Sequence, residues 1–202
     1  MDGFDARVRD VLERDGATAA ASLVVRTLGP ELLGYLWVAA DSWGDGDELF
    51  SQVCERIWKS LPEFRFECSV RTWVHVIARN RLRAGYTRAN RRARVVVPSE
   101  LAEDVAAVRT TTVEAMEPGT RQRLEQLRSL LDEDDRTLLV LRIDRELPWR
   151  DIAQVMCEES EPLDRAAARL RQRFGRVKQR LRDELVPTTG EHASSTPRRA
   201  RL

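Results

Sequence analysis

From Ser69 to Ser99 the chain reads SVRTWVHVIARNRLRAGYTRANRRARVVVPS, with eight arginines and neither Asp nor Glu. The same stretch carries Trp73, Val74, Val76 and Ile77, residues that seek a core. It must therefore bury one side and leave the other strongly positive. At about 100° per residue, Trp73, Val74 and Ile77 fall on one face of a helix. Arg71, His75, Arg79 and Arg83 recur every four residues on the opposite face, with Thr72 beside them. A solvated helix face normally mixes both charge signs, because unpaired arginines repel one another. This face has no acidic partner within the segment, and Arg88, Arg91, Arg92 and Arg94 extend its charge. Nucleic acid is the expected ligand, bound with an affinity that falls as salt rises.

The totals conceal this pattern, since 34 bases and 33 acids leave a formal net charge of only +1. Asp41 to Glu48 holds four acids and no base, whereas Arg165 to Arg182 holds eight bases and no acid. Only Lys59 and Lys178 are lysines, a bias that a GC-rich genome accounts for. The clustering needs another cause, and separated blocks of opposite sign imply surfaces for different partners. Apolar runs are far too short for membrane insertion, and the N-terminus is charged from Asp2 onward. A cytoplasmic location is expected. Cys54, Cys68 and Cys157 lack C-x-x-C spacing and a nearby His pair. They are expected as reduced, mostly buried thiols, with no metal and no cofactor.

Strand-like alternation is sustained nowhere and helical periodicity is common, so an all-α fold is expected. The chain divides into an N-terminal extension (1–16), a first helical domain (17–97), a polar linker with a helical patch (98–121), a second helical domain (122–186) and a disordered basic tail (187–202). Two small helical domains on a flexible linker is the architecture this implies.

In DELFSQVCERIWKSL, Leu49, Phe50, Val53, Cys54, Ile57 and Trp58 share half of a helix. Glu48, Ser51, Gln52, Glu55 and Lys59 occupy the other half, and Pro62 ends the run. The loop PEFRFECS then sets Phe64 and Phe66 around Arg65. Aromatics beside arginine can stack on unpaired bases, worth about 1–3 kcal/mol per base. Phe64 is expected to staple the loop to the core, while Phe66 suits either role. The second block reads as a helix-turn-helix: LDEDDRTLLVLRID starts on Asp132 as N-cap, and PWRDIAQVM opens on Pro148. Its last helix sets Ala167, Leu170, Phe174, Val177 and Leu181 in one narrow stripe. Arg169, Arg173, Arg176 and Arg180 flank that stripe, an arrangement that fits a DNA groove.

DGDELFSQVCERIWKSLPEFRFECSVRTWVHVIARNRLR resembles region 2 of bacterial sigma-70 family factors, in the extracytoplasmic-function (ECF) group. LLVLRIDRELPWRDIAQVM and the basic helix after it resemble region 4 of the same family. The resemblance implies a sigma factor that joins core RNA polymerase and directs promoter recognition, DNA melting and transcription initiation. It implies that Asp47, Glu48, Ser51, Gln52 and Glu55 meet the β′ clamp and that region 4 sits on the β flap. Minus-ten contacts would come from Phe64, Arg65, Phe66, Arg71, Thr72, His75, Arg79, Asn80 and Arg83. Minus-thirty-five contacts would come from Arg165, Arg169, Arg173, Arg176 and Arg180. An anti-sigma factor is a further partner class that the resemblance allows. This chain departs from the family pattern at Ser51, where Gln is common, and at Pro148, where an N-capping Ser is common. CEESEPLDRAAA also lengthens the turn of the motif, so its last helix should begin around Pro162 to Arg165.

A stand-alone helix-turn-helix regulator would explain the second block but not the arginines of the first. An enzyme built on Asp41, Asp45, Asp47 and Glu48 is not favoured, because Ser-His-Asp, Cys-His and Gly-rich phosphate motifs are missing. A purely protein-binding adaptor leaves the acid-free arginine blocks without purpose.

Overall fold

The computed structural model describes residues 3–84, 96–157 and 161–185. These form eight α-helices with no strand among the described residues. The arginines at 88, 91, 92 and 94 and the tail after residue 186 lie outside them.

α1 (Gly3–Ala39) is broken at Gly16, whose φ of 85° and ψ of 179° suit only glycine. Past the break, Leu32, Leu33, Tyr35 and Leu36 are fully buried. α2 (Trp43–Ser60) starts where Ser42 Oγ accepts the Asp45 N–H, satisfying one of the free donors of the first turn. Pro62 then tightens the chain into a 3-10 turn at Leu61–Glu63. α3 (Val70–Arg83) has two caps: Ser69 Oγ accepts the Thr72 N–H at 3.0 Å, and Asp5 Oδ1 accepts the Val70 N–H at 2.9 Å. The second cap comes from the N-terminal extension, which also buries Val8 in the core.

The helical patch expected within the linker is a full helix. α4 (Ser99–Glu114) buries Leu101, Val105 and Val108, residues one helical face apart. It packs closely on α1 because residue 29 is glycine; a Cβ there would stand 2.9 Å from Val108 Cγ1. α5 (Thr120–Leu130) follows, then α6 (Glu133–Leu139), which Asp132 caps by accepting the Asp135 N–H at 2.7 Å. A π-turn at Val140–Asp144 inserts one extra residue into the helical register. Ile143, within this turn, is 54% exposed. α7 (Trp149–Met156) opens on Pro148, and α8 (Leu163–Leu185) begins within the window read from the sequence.

One apolar core runs from Val8 through Leu36, Phe50 and Val74 to Ile152 and Leu170. A smaller cluster of Leu131, Leu139 and Val177 holds α8 to α6. The two helical blocks thus share one interior, and α3 and α7 lie side by side within it. Polar ties reinforce the junction. Arg136, 5% exposed, donates to the carbonyls of Leu131 and Ala39, both at 2.8 Å. Arg128 donates to the Ala40 carbonyl at 3.0 Å and to that of Trp37. Two cations from the second block therefore sit on the carbonyl end of α1, where the helix dipole favours positive charge. No helix among the described residues is long and apolar enough to cross a membrane.

Candidate nucleic-acid interface

α3 carries the arginine face, and both of its sides are covered. Val74 and Ile77 pack inward as the periodicity required, Trp73 is partly buried against the same core, and Val70 and Ala78 join them. On the other side, Thr72 and His75 are fully buried and Arg79 is 4% exposed. The physical reason is that acids distant in sequence supply the negative charge the segment lacks. Arg79 donates one Nη to Glu133 and the other to Asp134, at the start of α6. Thr72 Oγ1 donates to Asp151 Oδ2 of α7 at 3.0 Å. Arg71 Nε donates to Glu31 Oε1 of α1 at 2.7 Å. Thr72, His75 and Arg79, expected to meet DNA, cannot do so in this arrangement. Asn80 and Arg83 remain exposed at the end of the helix.

His75 is held neutral. Its Nδ1–H donates to the Arg71 carbonyl at 2.8 Å, which leaves Nε2 unprotonated and without a hydrogen-bond partner. Burial, opposed in part by that hydrogen bond and by Glu31, pushes its pKa down to about 4. The edge of the Tyr35 ring meets the imidazole at 5.4 Å between centroids. Burial likewise pushes the Tyr35 phenol up to about 12.

The loop before α3 gathers aromatic surface. Phe64 stacks on Trp73 with centroids 4.5 Å apart, which fastens it to the helix as expected. Phe66 leans on Phe64 at 4.6 Å and takes a φ of 57°, a conformation that costs a non-glycine residue about 1–2 kcal/mol. Arg9 covers the Phe66 ring at 4.4 Å, a partner the sequence reading missed because it lies in the N-terminal extension. Arg65 is 84% exposed at its side chain. An open groove of about 340 Å³ runs between Ser60, Phe64, Arg65, Cys68 and Trp73, and Gln154 of α7 forms its far wall.

α8 presents its arginines differently. Arg173 Nε donates to Asp135 at 2.6 Å, and its Nη groups donate to Asp134 and Asp132 at 3.2 and 3.0 Å. Arg180 also donates to Asp135, and Arg169 Nη2 to Glu161 at 2.7 Å. Arg165 and Arg176 are exposed. With Val177, Arg169, Arg173, Arg176 and Arg180 line an open groove of about 430 Å³.

The residues expected to meet polymerase lie on α2. Gln52 is 6% exposed, with its amide donating to Glu48 Oε1 at 3.3 Å, so it is an interior residue of this arrangement. Ser51 Oγ accepts from Arg109 of α4, which also reaches the Asp47 carbonyl. The Asp47 carboxylate accepts the Trp37 indole N–H at 2.9 Å, and Glu55 takes Lys59 at 2.6 Å. Arg109, Glu133, Asp134, Asp135 and Asp151 are hydrogen-bond and ion-pair partners of the expected site residues that the sequence reading did not identify. The only signal for the acids was their run at a helix start, where a favourable dipole already explains them.

Residues 24–92 match the family model of sigma-70 region 2. The match spans α2, the aromatic loop and α3, and covers about a third of the chain. It supports a sigma-70 family factor with a role in transcription initiation. No curated protein and no solved structure matches the chain.

Proposed function

We propose that the chain is an ECF-type sigma factor that joins core RNA polymerase and opens promoter DNA. The observation that carries this reading is the region 2 match across the helix with the arginine face. Its first block would dock through the α2 surface around Glu48 and Glu55 and read the minus-ten element. Melting requires a base to leave the stack, at a cost of a few kcal/mol. The groove beside Phe64, Arg65 and Trp73 has the aromatic floor and the cation to hold one. α7 and α8 would act as a helix-turn-helix on the minus-thirty-five element, with Arg165 and Arg176 among its phosphate contacts.

Transcription in vitro on genomic fragments tests this. Core enzyme plus the chain should initiate at defined sites, whereas a stand-alone regulator would bind its operator without polymerase. Indiscriminate initiation, or none, overturns the proposal. Replacing Arg83 and Arg176 with Ala should lower promoter affinity and reduce the salt slope by about one per arginine, leaving core binding intact.

A further inference from the structure

We propose that Arg9, in the part of α1 before Gly16, is a phosphate-contact residue for an opened DNA strand, held in place by Phe66. This role rests on reading the aromatic groove as the seat of an unpaired base. The residues before Gly16 lie outside the region 2 match, which begins at residue 24, yet they are built into the site. Val8 is fully buried, and Asp5, 5% exposed, accepts the Val70 N–H at 2.9 Å. Arg9 follows Asp5 by one helical turn, so the two share a face. Its guanidinium stands over the Phe66 ring, 4.4 Å from the centroid. Anchors on α3 and in the core thus fix the position of a cation that the loop itself does not supply.

Charge shows why the loop needs one. Glu63 and Glu67 line the groove together with Arg65, so its own side chains hold more acid than base. Such a groove repels a strand that carries a negative charge on every phosphate. Arg9 brings the balance level, and it has no ion pair among the described residues. A guanidinium set over an aromatic face keeps N–H donors free for phosphate, while the ring restricts where it can go. The Phe66 ring already has two close neighbours, Phe64 at 4.6 Å and Arg9 at 4.4 Å. It therefore supports the cation and does not receive a base.

Binding of the full chain to a fluorescein-labelled single strand of mixed sequence, followed by anisotropy across a salt series, tests the contact. Arg9→Ala should weaken binding about threefold at low salt and reduce the salt slope by about 0.7, the share of one phosphate on a single strand. If that variant does not fold, Arg9→Gln removes the same charge with the same expected result. Arg14→Ala is the control. It takes a charge from the same helix, but Arg14 already pairs with Asp10 and Asp15 at 3.6 and 3.7 Å, so the slope should stay unchanged. Phe66→Leu should weaken binding about twofold alone and add nothing to Arg9→Ala, because the ring acts through the cation. An unchanged slope in Arg9→Ala, a slope change equal to that of the control, or a wild type that binds no single strand overturns the proposal. Losses at Phe66 and Arg9 that add would make the ring a base platform and overturn its supporting role. Parallel transcription with core enzyme separates the two claims. Defined initiation with an unchanged slope in Arg9→Ala removes the Arg9 contact and keeps the sigma reading. A reduced slope without defined initiation keeps the contact, on a single-strand-binding chain of another kind.

Discussion

α3 and α8 carry arginine at nearly the same spacing, yet α3 has protein on two sides and α8 on one. Arg79 sits in the interior with two carboxylates, whereas Arg173 and Arg180 meet the same acidic turn while keeping 26% and 48% of their side chains in water. Two stretches with similar sequence character thus fall into different electrostatic regimes. A charge in low dielectric depends on its partner, and one at the surface can exchange its partner for water. The comparison teaches that an arginine face is a DNA face only when nothing else in the chain reaches it first.

His75 offers the largest expected effect, because α8 has no titratable group in a similar position. Unfolded, it should titrate near 6.5; buried between Tyr35, Glu31, Arg71 and Arg145, it titrates at about 4. Between those two values the unfolded chain binds the additional proton. Stability from this group is therefore complete above about pH 6.5 and is lost as pH falls toward 4, by roughly 3 kcal/mol in all. Urea midpoints should fall more steeply over that window for the wild type than for His75→Asn. A proton NMR titration that places His75 near 6.5 would break the comparison, since the imidazole could then no longer be shielded on both sides of α3.

Arg79→Ala comes next. The carboxylates it abandons, Glu133 and Asp134, are 37% and 43% exposed at their side chains, so water can take them. The cost should be about 2 kcal/mol, the loss of charged hydrogen bonds from a buried group. Denaturant unfolding checks this, and a cost below about 0.5 kcal/mol would place Arg79 in the surface regime of α8.

Asp135→Asn tests the other side of the acidic turn. Asp135 is 4% exposed and receives both Arg173 and Arg180, yet both arginines reach water. Its loss should cost about 1 kcal/mol, less than Arg79→Ala, because neither guanidinium is left in the dry interior. The reverse order of the two costs, by the same denaturant measurement, would mean that α8 and not α3 holds the closed arrangement together.

The helices themselves were legible where an apolar stripe recurs at helical spacing, as in α2, α3 and α8. α4 was harder to see. Its buried face rests on only Leu101, Val105 and Val108, with Thr110, Thr111 and Thr112 near its end, so its composition resembles a linker. The short α1 segment before Gly16 was passed over because Asp5, Val8 and Arg9 gain meaning only against α3 and Phe66. The arginine face was correctly placed opposite Val74 and Ile77, but its occupancy could not be read locally. Glu133 and Asp134 lie 54 and 55 residues beyond Arg79, and charge balance within one segment carries no information about such a partner.

Arg176→Ala completes the series with the smallest effect on stability and a larger one on binding. Arg176 is exposed, and it lines the open groove on α8 with Arg169, Arg173 and Arg180. Stability should change by less than about 0.5 kcal/mol, as for surface positions in general. Duplex affinity at low salt should nevertheless fall, with the salt slope smaller by about one. Arg79→Ala in the free chain should behave oppositely, lowering stability while duplex affinity holds or rises, since that arginine is sequestered and its loss loosens the cover on α3. Measuring stability and salt slope for both variants decides the matter. If both shift the slope equally in the free chain, Arg79 is already open to phosphate, and the difference between the two helices vanishes in solution.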